Sequence, residues 1–221
     1  MTLSRRFAPR LLAVLLLQVA GMSAVQAAAV WLAELPQQPV EVRDAAMLQV
    51  ISADAKLEIL STGHLWAEGP VTEPGTGAVL FSDVPKNQIW RWSAATGSTL
   101  YLTPSGATGH KNSAVGEGSN GLIFNKKSEL VLAQHGDRRL AVRSAQQGQQ
   151  ATFRTLTEQY QGKAFNSPND LIELQDGRYL FTDPPYGLKD GDRSPDKQQP
   201  HNGVYQLKVD GVVSLISAGL T

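Results

Sequence analysis

Short apolar runs recur along the chain in units of about fifty residues, and each unit opens on a short polar loop. The openings are Glu68-Gly69-Pro70, Ser119-Asn120-Gly121-Leu122 and Pro168-Asn169-Asp170-Leu171. A second run follows each: Val79-Leu80-Phe81, Leu130-Val131-Leu132 and Tyr179-Leu180-Phe181. The third runs are Ile89-Trp90-Arg91-Trp92, Arg139-Leu140-Ala141-Val142 and Gly203-Val204-Tyr205-Gln206-Leu207. Thr99-Leu100-Tyr101-Leu102, Phe153-Arg154-Thr155-Leu156 and Val212-Val213-Ser214-Leu215-Ile216 close the units. A unit of four short strands cannot cover its own apolar faces and must stack on its neighbours, as propeller blades do. The fold class read from the sequence is therefore all-β, a β-propeller of four-stranded antiparallel blades. In such a fold the loops entering the innermost strands converge on a central channel. That expectation brings Glu68, Asn120 and Asn169 together, and oxygen donors of this kind suit a hard cation.

Residues 1 to 27 have the order of an export signal. Arg5, Arg6 and Arg10 precede an apolar core from Leu11 to Val19, and Ala24-Val25-Gln26-Ala27 supplies small residues for signal peptidase. The apolar core is short for a membrane span, so cleavage after Ala27 and delivery to a bacterial periplasm are expected, with no membrane association of the product. Residues 28–55 read as a lead-in, with a helical turn at Asp44-Ala45-Ala46-Met47-Leu48. Residues 56–221 read as the propeller segment. It begins with a lone outer strand at Lys56-Leu57-Glu58-Ile59-Leu60, runs through three blades, and stops where a fourth would open. Stacked repeats leave apolar faces at open ends, so self-association through open blade faces is a further expectation.

The chain has no cysteine, which removes disulfides, thiol nucleophiles and cysteine-based zinc sites. Its formal net charge is zero, with no strong basic run, and this argues against a nucleic-acid or anionic-membrane partner. There is neither a nucleophile-elbow serine nor a glycine-rich phosphate loop, so serine-hydrolase and nucleotide-enzyme chemistry find no support.

Several candidate residues carry two readings. Glu68 is either a surface loop carboxylate or a metal ligand, and its phase in the repeat favours the ligand. Asn169, after Pro168, is either a turn former or a ligand. Asn120-Gly121 is either a turn dipeptide or part of the channel lining. His135 reads better as a hydrogen-bonding residue at the blade top than as a catalyst. Asp83 and Asp183, ending the second strands of their blades, are expected to cap turns or orient neighbouring loops. Trp66, Trp90 and Trp92 are expected to pack between blades.

Five motifs in order carry a resemblance. They are Trp66-Ala67-Glu68-Gly69-Pro70-Val71, Gly118-Ser119-Asn120-Gly121-Leu122, His135-Gly136-Asp137-Arg138-Arg139, Phe165-Asn166-Ser167-Pro168-Asn169-Asp170-Leu171 and Phe181-Thr182-Asp183-Pro184-Pro185-Tyr186-Gly187-Leu188. Together they resemble the gluconolactonase / regucalcin (senescence-marker protein) / luciferin-regenerating-enzyme family, in its bacterial gluconolactonase-like branch. The resemblance implies a six-bladed propeller, of which this chain holds the three N-terminal blades, with one divalent cation in the channel. It implies that Glu68 and Asn169 ligate the metal, that Asp170 supports the site, and that Asn120, His135 and Tyr186 border the substrate. It also implies a further asparagine and a proton-transferring aspartate from blades that have no counterpart up to Thr221, so poor activity is expected of the chain alone.

The function implied is hydrolysis of a sugar lactone or related cyclic ester. Ca²⁺ is the expected cation, with Mg²⁺, Mn²⁺ and Zn²⁺ as the other choices for oxygen ligands. Two alternatives stand beside it: a non-catalytic truncated propeller or binding module, and a phosphotriesterase, which would ask the same service of the metal.

Overall fold

The structure, a computed structural model, describes residues 40–110, 117–144 and 151–220. The export signal read at 1–27 and the first part of the lead-in, 28–39, lie outside the described residues. The chain divides into two compact units, Met1–Gly63 and His64–Thr221.

In the first unit the expected helical turn is present as a 3-10 helix over Ala45–Gln49, begun by the Asp44 carboxylate accepting from the Ala46 amide at 2.8 Å. The outer strand expected at 56–60 is not formed. Leu57 and Leu60 are about half exposed, at 54% and 49%, and the segment pairs with no other strand among the described residues. Alternation of side chains makes a strand only where a second strand supplies the ladder, and here none does.

The second unit is all-β, as the repeat requires. Its first sheet runs β1 (Ala67–Thr72), β2 (Val79–Asp83), β3 (Gln88–Ser93) and β4 (Gly97–Leu102). The second runs β5 (Ser119–Phe124), β6 (Leu130–Gln134), β7 (Arg139–Arg143) and β8 (Phe153–Thr157). A small hairpin, β9 (Gln159–Tyr160) and β10 (Lys163–Ala164), leads into the third sheet. That sheet runs β11 (Leu171–Glu173), β12 (Tyr179–Asp183), β13 (Asn202–Leu207) and β14 (Val213–Leu220). Each is an antiparallel meander in chain order, and the three are consecutive blades of a β-propeller. No helix among the described residues is long and apolar enough to cross a membrane.

The blades stack through alternate residues of the same strands. Along β6, Leu130 and Leu132 join Leu80, Ile89, Leu102 and Leu122 in the seam between the first and second blades. Val131 and Ala133 face the other way, into the seam with Phe165, Leu171, Phe181, Tyr205 and Leu207. Strand periodicity of two makes one strand serve two interfaces. In the second seam Phe165 meets Phe181 and Tyr205 edge-on at 5.1 and 5.2 Å, and Phe181 stacks on Tyr205 at 5.5 Å. Burying each such ring contributes about 1.5–3 kcal/mol, so the seams hold the inner strands of adjacent blades at a defined separation.

The inner strands open irregularly. The β1–β2 ladder shifts register between Glu68 and Val71, and the β5–β6 ladder shifts between Ser119 and Leu122. In the third blade the regular strand starts only at Leu171; before it, the Asn169 amide donates to the Thr182 carbonyl at 2.9 Å and the Thr182 amide to the Asp170 carbonyl at 3.0 Å. Bulges of this sort turn side chains out of the pleat. The three openings singled out in the sequence therefore depart from ideal pairing at the same place in each blade.

Candidate functional site

The inner-strand openings touch in sequence, each blade against the next. Gly69 has φ +55°, and a Cβ there would lie 2.3 Å from the Asn120 carbonyl oxygen. A Cβ on Gly121 would lie 2.5 Å from Asp170 Oδ1 and 2.8 Å from the Asn169 carbonyl oxygen. The Gly121 amide donates to that Asn169 carbonyl at 2.7 Å. Only residues without a side chain allow these approaches. The Ser82 hydroxyl reinforces the first step, donating to the Asn120 carbonyl at 2.8 Å and standing 2.9 Å from the Ser119 hydroxyl. Glu68, Asn120 and Asn169 are thus linked through backbone contacts from blade to blade, as the repeat phase predicts.

Their surroundings differ. Glu68 is partly exposed, and the indole N–H of Trp66 donates to its Oε1 at 2.8 Å. Trp66 itself is 61% exposed, which corrects the expectation that it packs between blades. Trp90 is partly buried and lies edge-on to His64, with ring centroids 5.1 Å apart. Asn120 is buried. Asn169 is partly buried, and its Nδ2 lies 3.3 Å from Nε2 of His135. His135 is buried, and its Nδ1 lies 3.3 Å from the Glu117 carboxylate. The consistent assignment has Nδ1–H donating to Glu117 and Nε2 accepting from the Asn169 amide. His135 is therefore a partner of Asn169, in keeping with a hydrogen-bonding role at the blade top. Asp170 is exposed, and its Oδ1 accepts from the following amide, Leu171, at 2.9 Å.

Tyr186 is 69% exposed on the loop between β12 and β13. That loop is tied to the Asn169 opening. Ser167 Oγ donates to the Pro184 carbonyl at 2.6 Å and accepts from the Gly187 amide at 2.9 Å. A Cβ on Gly187 would meet Ser167 Cβ at 2.8 Å and His135 Cβ at 2.9 Å. The structure thus brings His135, Asn169 and the Tyr186 loop together.

Two buried carboxylates hold the openings from beneath. Asp83 accepts from the amides of Leu65 and Trp66 at 3.2 and 3.3 Å, three and two residues ahead of Glu68. Asp183 accepts from the amides of Asn166 and Ser167 at 2.8 and 2.9 Å, three and two residues ahead of Asn169. Both act as the sequence leads one to expect of strand-ending aspartates. Burial, opposed by these amide bonds and by Arg138 and Lys197, pushes the Asp183 carboxyl up to about 7. Burial also lowers the His64 imidazole from its ordinary value, against the pull of Asp83. In the second blade Gln134 stands at the same strand end; its Nε2 donates to the Ser105 carbonyl at 2.8 Å and its Oε1 accepts from Arg139 Nε at 2.6 Å.

The indole bond to Glu68 and the Glu117 bond to His135 are the parts that sequence reasoning did not reach. Trp66 and Glu68 are two residues apart at a strand entry, a spacing that puts both side chains on one face, and this was the available signal.

Among the described residues no three His, Asp or Glu side chains converge to hold a metal. The donor chemistry at the openings still fits an oxygen-seeking cation. Glu68 offers a carboxylate, and Asn169, with Nδ2 on His135, keeps its carbonyl oxygen as the remaining donor. Cavities of about 540 and 650 Å³ lie elsewhere. The first is beside His110, Glu158 and Tyr160, and the second is among the hairpin turns holding Lys126, Asp176 and Lys208, so neither belongs to this site.

Residues 66–221 match the family model described as SMP-30/Gluconolactonase/LRE-like region. A gluconolactonase of Zymomonas mobilis subsp. mobilis is 34% identical over 176 residues, covering 78% of this chain and 48% of the relative. A gluconolactonase structure from Xanthomonas campestris superposes with a TM-score of 0.64 at 29% identity, over 79% of this chain and 55% of that one. A structure described as a putative gluconolactonase gives a TM-score of 0.60 at 31% identity, over 72% and 51%. The chain spans about half the length of these relatives.

Proposed function

Because this chain belongs to the SMP-30/gluconolactonase/LRE-like family, we propose that it takes part in the hydrolysis of a sugar lactone or a closely related cyclic ester. The observation that carries the proposal is the contact series at the inner openings, in which Gly69 lies on Asn120 and Gly121 on Asn169. It supports a shared site for three residues that are far apart in sequence.

Glu68 and Asn169 are the side chains that would hold a divalent cation, Ca²⁺ first among the oxygen-seeking choices. When bound, such a cation supplies Lewis acidity toward a lactone carbonyl and lowers the pKa of water. The chain's own contributions are positional. His135 holds the amide face of Asn169, and the Ser167 hydroxyl ties the Tyr186 loop beside it, leaving the exposed Tyr186 ring to border a substrate. Asn120, tied through its carbonyl to Ser82, lines the same row of openings. The two ligand oxygens are few for a cation that takes about six to eight. Weak cation binding and slow turnover are therefore expected of this chain by itself.

The test is calorimetric titration of the chain with Ca²⁺, Mg²⁺, Mn²⁺ and Zn²⁺, followed by assays on glucono-lactone and on a phosphotriester with and without chelator. The reading expects binding that weakens at least tenfold in Glu68→Gln, and lactone opening that falls with it. Binding and turnover unchanged in Glu68→Gln would remove Glu68 from the site. Turnover of the phosphotriester alone would replace the lactone. Export belongs to the same proposal, with cleavage after Ala27 and a periplasmic product. N-terminal sequencing of exported protein decides it, and an uncleaved, membrane-retained product would refute it.

A further inference from the structure

The two side chains proposed as ligands share a feature. Each offers two polar atoms, and in each a ring nitrogen engages one of them. Trp66 Nε1 donates to Glu68 Oε1 at 2.8 Å. His135 Nε2 stands 3.3 Å from Asn169 Nδ2. One oxygen remains in each case: Oε2 of Glu68 and Oδ1 of Asn169.

The rings are themselves held. His135 is buried, with Nδ1 on the Glu117 carboxylate at 3.3 Å. The Trp66 backbone is held by buried Asp83, which accepts its amide at 3.3 Å. The Trp66 ring is 61% exposed, so apolar burial does not explain why a tryptophan stands there. Its N–H has a specific partner, the Glu68 carboxylate.

We infer that Trp66 is a positioning residue for Glu68, as His135 is for Asn169: the indole N–H occupies one carboxylate oxygen and sets the other toward a divalent cation. The inference rests on the reading of Glu68 and Asn169 as ligands. It adds that each ligand's free atom is chosen in advance by a neighbouring ring. Fixing a carboxylate in this way lowers the ordering cost of binding and disfavours a bidentate grip. Partners of metal ligands that act through orientation alter affinity by about ten- to a hundredfold.

Two measurements on the full chain test it. The first needs no cation. In ¹⁵N-labelled protein the indole resonance of Trp66, identified by its loss in Trp66→Phe, should move in Glu68→Gln, because its acceptor changes from carboxylate to amide. An indole resonance indifferent to Glu68→Gln overturns the inference. The second is calorimetric titration with Ca²⁺. Trp66→Phe keeps an aromatic ring and removes only the donor, and should weaken binding by about tenfold. Equal affinity in wild type and Trp66→Phe overturns the inference and leaves the ligand assignment standing. An indole resonance that responds to Glu68→Gln in a wild-type chain that binds no Ca²⁺, Mg²⁺, Mn²⁺ or Zn²⁺ overturns the ligand assignment and the inference with it. A thermal melt of Trp66→Phe within about 2 °C of wild type separates lost positioning from lost fold.

Discussion

The loops that carry Glu68 and Asn169 are braced by the same device in different surroundings. In the first blade Asp83 receives the amides of Leu65 and Trp66, whose residues are 69% and 61% exposed. Its carboxylate also lies 3.3 Å from Lys86 Nζ. In the third blade Asp183 receives the amides of Asn166 and Ser167, both fully buried. Its cationic neighbours, Arg138 and Lys197, offset part of the burial, yet its carboxyl is still pushed up to about 7. The Arg138 guanidinium is committed elsewhere, with Nε donating to the carbonyls of Phe165 and Asn166 at 2.6 and 3.0 Å. One geometry thus recurs around two buried carboxylates, once receiving amides of exposed residues beside Lys86 and once receiving amides of buried ones. A repeat copies hydrogen-bond geometry more faithfully than it copies the electrostatic setting.

The largest expected effect lies in the acidity of the interior brace, Asp183. An unfolded aspartate titrates near about 3.9, and folded Asp183 near about 7. Between those values the folded chain holds a proton that the unfolded chain has lost, so the stability contributed by this group falls as pH rises through the window and is level above it. The fall is on the order of 4 kcal/mol. Urea melts from pH 4.5 to 8 should show Asp183→Asn lacking that downward component. Parallel slopes in wild type and Asp183→Asn would show that burial does not hold a proton on Asp183.

Removal of the brace comes next. Asp183→Ala leaves two buried amides without an acceptor and should cost about 3 kcal/mol, with loosened exchange protection at Asn166 and Ser167. The comparison would be sharpened by the seams. Gly69→Ala meets both a left-handed φ and the Asn120 carbonyl, and should cost about 2 kcal/mol. Asp83→Ala is expected to be the smallest change, about 1 kcal/mol, because Leu65 and Trp66, which donate the freed amides, are largely exposed residues. If Asp83→Ala proves the costlier of the two aspartate variants in chemical denaturation, solvent access is not what distinguishes the braces.

Much of this arrangement was legible in the sequence. Periodicity located all three blades, because each β-run must present apolar residues to a neighbour, as Leu132 and Val131 do on opposite sides of one strand. The matching phase of Glu68, Asn120 and Asn169 was equally visible, since the repeat copies loop position. Asp83 and Asp183 were legible as loop-orienting residues from their place at strand ends. Trp66 was misjudged, because indoles are commonest in apolar seams and nothing in composition reveals that its N–H meets a carboxylate two residues on. The strand expected at 56–60 failed for a related reason: alternation encodes a capacity to pair, and no strand among the described residues supplies the ladder. The charge setting of Asp183 depends on Arg138 and Lys197, brought in from distant loops, and no local pattern announces them.

The glycine contacts between openings set Asn169 relative to Glu68 through two joints in series, Gly69 on Asn120 and Gly121 on Asn169. In any such linkage the slack of successive joints accumulates, and the last member inherits the play of all before it. Here the joints close mainly on backbone atoms, which have few ways to give. A loosened joint at Gly69 would therefore displace a side chain two blades away while leaving that blade's own ladder intact. A defect made in one blade would be felt as misalignment in another.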